Sequence, residues 1–114
     1  MWVCPEDGPV LRGESDVLEL IFEAGRSGAF WVAIPVSRLG EEFFQLRSGV
    51  AGAILQKFVN YRTGLAVVGD ISRYAAASES FSGLVRESNR GRQVRFVPDL
   101  DSLDVSRSSL PAGW

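Results

Sequence analysis

Histidine is absent from this chain. The commonest general base and the commonest metal ligand are therefore missing, which excludes or nearly excludes a zinc site and a Ser-His or Cys-His nucleophile. Cysteine occurs once, at Cys4, so no internal disulfide forms, in keeping with a reducing cytoplasm. Cys4 itself reads as an ordinary apolar strand residue. No apolar run approaches the roughly 20 residues that cross a bilayer. The start, Met1-Trp2-Val3-Cys4-Pro5, lacks the basic region and apolar stretch of a signal peptide. A cytoplasmic protein away from membranes is expected. A strong charge of either sign is missing too: 14 acidic and 12 basic residues leave a net charge of −2, so no bulk attraction to nucleic acid is expected. No acid and base stand at a recognisable catalytic spacing, and Glu41-Glu42 reads as a solvated pair. Neither a metal nor a cofactor is implied.

What is present is the composition of one globular domain. Of 114 residues, 46% are hydrophobic and 23% charged. The boundaries expected are 1–105 for a single α/β domain and 106–114 for a flexible tail rich in serine, with Pro111 and Gly113. Met1–Cys4 and Pro9–Arg12 flank the turn-forming Pro5-Glu6-Asp7-Gly8, which predicts a β-hairpin. Ser15 or Asp16 then caps a helix with Val17, Leu18, Ile21 and Phe22 on one face. Residues 29–34 (AFWVAI) contain nothing polar, as a strand in the middle of a covered sheet does, and Pro35 closes it. Phe43 and Phe44 dip into the core from a long connection. A second helix buries Val50, Ala51, Ile54, Leu55, Phe58 and Val59. Leu65–Val68 is a second apolar strand, about Ser78 to Ser88 a third helix, Gln93–Val97 a last strand and Asp99–Leu103 a short helix. The fold expected is a mixed, mainly parallel sheet of four or five strands, with the N-terminal β-hairpin at one side and helices packed on it.

Three places invite a functional reading. Ser48, Gly49 and Gly52 open the second helix, where free amides attract anions and glycine lets a phosphate approach. The simpler alternative ranks first: Ser48 is an N-cap, and the glycines relieve crowding by the sheet or by Phe43-Phe44. A P-loop is ruled out because its lysine is missing. Asp70 and Ser72 follow a buried strand at the carboxyl edge of the sheet, where α/β proteins bind ligands, and Ser48 belongs to the same edge. Again the simpler alternative ranks first, with Asp70 capping the next turn. At the opposite edge, Asn60, Tyr61 and Arg62 end one helix, while Arg86, Asn89, Arg90 and Arg92 surround a tight turn. Arginines there clamp phosphate or carboxylate, or else pair with Glu87 and cap helix ends. The second half of the chain is the more basic: residues 43–114 hold nine of the 12 basic residues.

The stretches EEFFQLRSGVAGAILQKFVNYRTGLAVVGDISRY and SFSGLVRESNRGRQVRFVPDLDSL resemble the bacterial DUF4180 family, a domain of unknown function. The likeness runs from about Asp16 to Leu103, with Leu55–Arg62, Val68-Gly69-Asp70 and Glu87–Arg92 its most specific pieces. A more distant similarity is to the STAS domain of anti-sigma-factor antagonists, through the order of elements. That resemblance implies a serine, matched here by Ser48 before Gly49, that a partner kinase phosphorylates. Arg47 stands where those proteins usually carry aspartate, and the connection from Pro35 is longer.

The sequence thus favours a non-enzymatic binding or regulatory module that contacts a protein partner, a second copy as a homodimer, or a small anion. The competing expectation is a small nucleotide- or phosphometabolite-binding protein or enzyme using Asp70, Ser48 and Lys57.

Overall fold

The computed structural model describes residues 1–102. Its elements are β1 (Trp2–Val3), α1 (Glu14–Arg26), β2 (Trp31–Pro35), α2 (Val50–Asn60), β3 (Gly64–Val68), α3 (Ser72–Ala77), α4 (Glu79–Arg90) and β4 (Val94–Val97). Three 3-10 turns, at Val36–Arg38, Glu41–Phe44 and Leu46–Ser48, fill the connection from β2 to α2, and a fourth covers Leu100–Ser102. The expected domain limit at 105 and the tail over 106–114 lie outside the described residues.

The class is α/β, with four strands in the order β1-β2-β3-β4, all parallel. The two all-apolar strands are adjacent and central, paired from Trp31↔Gly64 to Pro35↔Val68. Because each strand is followed by a helix and the next strand lies beside it, the crossovers all go the same way round. One face of the sheet therefore receives α1, α2 and α4. Val17, Ile21, Ile54, Phe58 and Phe81 from these helices pack with Val32, Ile34, Leu65, Val67 and Phe96 of the sheet. Phe43 and Phe44 do enter this core, at 1% and 3% exposure.

The N-terminal β-hairpin does not form, and the sheet is all-parallel rather than mixed. β1 runs parallel to β2, with Trp2 opposite Val32, and Leu11 makes a single parallel bridge to Leu39. The segment between these pairings is organised by Arg38, whose side chain is buried. Its Nε donates to the Pro9 carbonyl at 2.8 Å, and its Nη1 donates to the carbonyls of Pro5 at 2.8 Å and Asp7 at 3.2 Å. A guanidinium with five donors gathers these carbonyls into a loop, while the arms of the expected hairpin pair elsewhere, the Cys4 amide donating to the Ala33 carbonyl and the Leu11 amide to the Arg38 carbonyl, each at 2.8 Å. The element order behind the STAS resemblance is changed at the same place.

Three smaller differences follow from packing. The first helix starts at Glu14 after Gly13, and Asp16 accepts from the Arg12 amide at 2.8 Å instead of capping the helix from its own start. Its buried residues are Val17, Ile21 and Ala24, with Phe22 turned outwards. The short α3 precedes the third expected helix, whose true N-cap is Ser78, accepting from the Phe81 amide at 3.1 Å.

Candidate functional site

Two edges of a parallel sheet offer different chemistry. At the carboxyl edge the chain leaves β2 through the 3-10 turns and leaves β3 through Gly69-Asp70. Between these connections lies a cleft of about 450 Å³ whose lining includes Glu41, Phe44, Arg47, Tyr74 and Ser78. Its floor is aromatic: Phe44 stacks on Tyr74 with centroids 3.8 Å apart, and meets Phe43 and Phe81 edge to face. Its rim is a polar triad. Arg73 donates to the Tyr74 hydroxyl and to Glu41 at 3.0 Å, and its guanidinium lies 4.5 Å from the Tyr74 ring centroid. The Tyr74 hydroxyl and then Glu41 favour the charged guanidinium and push its pKa up.

Ser48 and Asp70 belong to this edge but do not line the cleft. The Ser48 hydroxyl donates to the Glu42 carbonyl at 2.6 Å and accepts from the Val50 amide at 3.2 Å, so it staples the turn to the first residue of α2. Gly49 takes a left-handed conformation, φ 81°, which explains a glycine there. Gly52 does not relieve crowding: a Cβ added to it meets nothing within 4 Å. Asp70 accepts from the Ser72 amide at 2.9 Å and begins α3. The Ser72 hydroxyl and then its amide hold the Asp70 carboxyl below its usual range. Lys57 is not assembled with them. It lies nine residues beyond Ser48, roughly 13 Å along a helix axis, and pairs with Glu14 at 3.8 Å.

The second expected patch divides in the structure. Asn89 serves the sheet: its Oδ1 accepts from the Phe96 amide at 2.8 Å and its Nδ2 donates to the Phe96 carbonyl at 3.2 Å. This occupies both backbone groups that the edge strand β4 presents at that residue. Arg90 pairs with Glu87 at 3.6 Å and Arg86 donates to Ser82 at 3.1 Å, both on the α4 surface. Arg92 is exposed. Asn60 accepts from Gln56 at 2.9 Å.

Tyr61 and Arg62 take part in something the sequence did not announce. At the amino edge, the ends of α1 and α2 enclose a groove of about 840 Å³ lined by Phe22, Arg26, Phe30, Tyr61, Arg62 and neighbouring residues. Phe22 meets Tyr61 edge to face at 5.6 Å. Phe30 is 72% exposed, and Phe22 and Tyr61 are about half exposed. Arg62, at φ 53°, is the non-glycine residue with a left-handed backbone among the described residues. Phe22 and Phe30 looked like core residues in the sequence because each stands inside an apolar run.

Among the described residues no three His, Cys, Asp or Glu side chains cluster as metal ligands, and no helix is long and apolar enough to cross a membrane. The buried Cys4 thiol is pushed up by burial, against the opposing charge of Arg38, whose Nη1 lies 3.3 Å away. Comparison with known proteins gives one family: the model for a domain of unknown function, DUF4180, matches residues 1–106. No curated protein and no solved structure matches the chain.

Proposed function

The chain belongs to the DUF4180 family, and because that description names no activity, we propose a function from the surface itself. The protein is a non-enzymatic binding module that holds an apolar, acid-flanked segment of a partner protein in the groove of Phe22, Phe30 and Tyr61. The observation that carries this is Phe30. A phenylalanine 72% exposed, beside two half-exposed aromatics, leaves a contiguous apolar surface that a partner would bury. Arg26 and Arg62 flank the groove, and their charge selects carboxylates beside the apolar anchor. Two arginines are too few for a nucleic-acid backbone.

The competing reading, a nucleotide- or phosphometabolite-binding protein or enzyme using Asp70, Ser48 and Lys57, is weakened by geometry at the carboxyl edge. Ser48 and Asp70 each satisfy their own turn, and Lys57 is paired elsewhere. Panning of the purified chain against a displayed peptide library, followed by chemical-shift mapping, tests the choice. Selected peptides should join aromatic or aliphatic residues to Asp or Glu, should move the resonances of Phe22, Phe30 and Tyr61, and should lose binding in Phe30→Ala but not in Arg47→Ala. Peptides that map elsewhere would overturn the proposal. So would saturable stabilisation by phosphorylated metabolites that vanishes in Asp70→Ala. Sedimentation decides whether the natural occupant is instead a second copy, in which case a dimer would dissociate in Phe30→Ala.

A further inference from the structure

The carboxyl edge of the sheet holds a second site, apart from the groove of Phe22, Phe30 and Tyr61. There the connection from β2 to α2 faces the connection from β3 to α4 across the cleft of about 450 Å³. The carboxyl ends of parallel strands are where α/β folds take ligands, and the volume is that of a small-molecule site. Phe44, Leu46, Tyr74 and Ala77 make its apolar wall. The Phe44 and Tyr74 rings lie parallel to within 6°, and the Arg73 guanidinium sits over the Tyr74 ring. A ring and a guanidinium cannot share one face, so both faces of the tyrosine are covered and its edge lines the cleft. Such an edge attracts the face of a further ring.

The polar side of the cleft is unevenly charged. Glu41 is taken by Arg73 at 3.0 Å and by the Tyr74 hydroxyl at 3.4 Å. Arg47 lines the same cleft, is exposed, and makes no ion pair among the described residues. Ser78 and Ser80, also in the lining, bring in the first turn of α4. Ser78 Oγ accepts from the Phe81 amide and keeps its own proton to donate. Glu79, between the two serines in sequence, lines a separate hollow with Ser82 and Arg86.

We infer that this cleft binds a small aromatic carboxylate, its ring against the Tyr74 edge, Leu46 and Ala77, and its carboxylate between the Arg47 guanidinium and the hydroxyls of Ser78 and Ser80. A guanidinium and a carboxylate form two parallel N–H···O bonds, and the amino end of α4 adds a favourable potential. One negative charge suits the site better than two. Glu41 lines the same cleft and repels a phosphate dianion more strongly than a carboxylate. A neutral ring would leave Arg47 unused, and acetate would leave the apolar wall wet. The site needs nothing from the amino-edge groove, so either can fail without the other.

The test titrates the full isotope-labelled chain with benzoate, phenylpropionate and indoleacetate. At least one should give saturable shifts at the amides of Arg47, Tyr74 and Ser80. Its neutral amide, which keeps the ring and loses the charge, should bind about tenfold more weakly. Arg47→Gln, at an exposed position, should weaken binding about tenfold and leave the thermal midpoint of the free chain unchanged. Arg62→Gln should leave binding as it was, which separates this result from that of the groove. Failure of all three carboxylates to saturate would overturn the proposal. So would shifts confined to other residues, equal binding of the neutral amide, or an unaltered affinity in Arg47→Gln. Tighter binding of phenyl phosphate than of benzoate would overturn the choice of a carboxylate.

Discussion

The indole of Trp31 covers its register partner Gly64 so closely that a Cβ added to Gly64 would fall 2.4 Å from the ring. Three ring atoms lie within 2.7 Å of that point, so the whole indole would have to move. Gly64→Ala is therefore expected to lose roughly 1–3 kcal/mol as an overpacked core does. Gly52→Ala is expected to go the other way, gaining up to about 1 kcal/mol from helix propensity, because its surroundings are open. Urea unfolding of both variants checks the contrast, and equal signs would contradict it.

Arg38 should be among the least replaceable residues. Removing its side chain strands the carbonyls of Pro5, Asp7 and Pro9 together. Arg38→Met is expected to cost on the order of 3 kcal/mol and to speed hydrogen exchange at the Leu11 amide, which bonds to the Arg38 carbonyl. Arg38→Lys should restore little, since one ammonium cannot copy the planar fork.

Ser48 donates as well as accepts, and this separates two substitutions. Ser48→Ala loses both bonds, at a cost of about 1 kcal/mol. Ser48→Asp keeps an acceptor for the Val50 amide but sets a carboxylate against the Glu42 carbonyl. It should be no more stable than Ser48→Ala, and a phosphate on Ser48 would meet the same carbonyl. Thermal unfolding of the two variants decides the order.

Much of the fold was legible from short-range pattern, and the misses have a common cause. Residues 29–34 and 65–68 announced buried parallel strands because apolar residues on both faces leave no other place for them. Ser48 and Asp70 announced their turns because a small polar side chain before a helix has few partners to choose from. The hairpin failed because its arms pair with distant segments, β1 with β2 and Leu11 with Leu39, and Arg38 takes the Pro9 carbonyl from 29 residues away in the chain. Phe22 sits at the margin of its helix stripe and meets the distant Tyr61, itself half exposed, instead of the core. Nothing local to Gly64 reveals that an indole lies over it. Asn89 read as part of an anion patch, since its partner Phe96 is fixed only once α4 packs beside β4.

Two titrating groups should leave opposite marks on stability. The Asp70 carboxyl is held low by Ser72, so through the acid range the folded chain binds fewer protons than the unfolded one. Its contribution is full above the unfolded carboxylate's pKa of about 3.9 and is lost as pH falls through the folded value. Asp70→Asn should flatten that acid limb, as read by thermal midpoints against pH. The Cys4 thiol is held high by burial, so its contribution is present below the unfolded thiol's pKa and lost as pH rises towards the folded value. A thiol reagent should label Cys4 at the rate of global unfolding, and Arg38→Met should quicken that labelling.

Strand order that follows chain order also bears on how the molecule is made. No strand has to be inserted between two earlier ones, so each new βα unit docks on the unit synthesised just before it. At every stage one of the two open edges belongs to the newest strand, the arrangement that invites addition of another. Asn89 ends the series. By filling the amide and carbonyl of Phe96, one side chain takes the place that a fifth strand would occupy and gives the growing sheet a terminus.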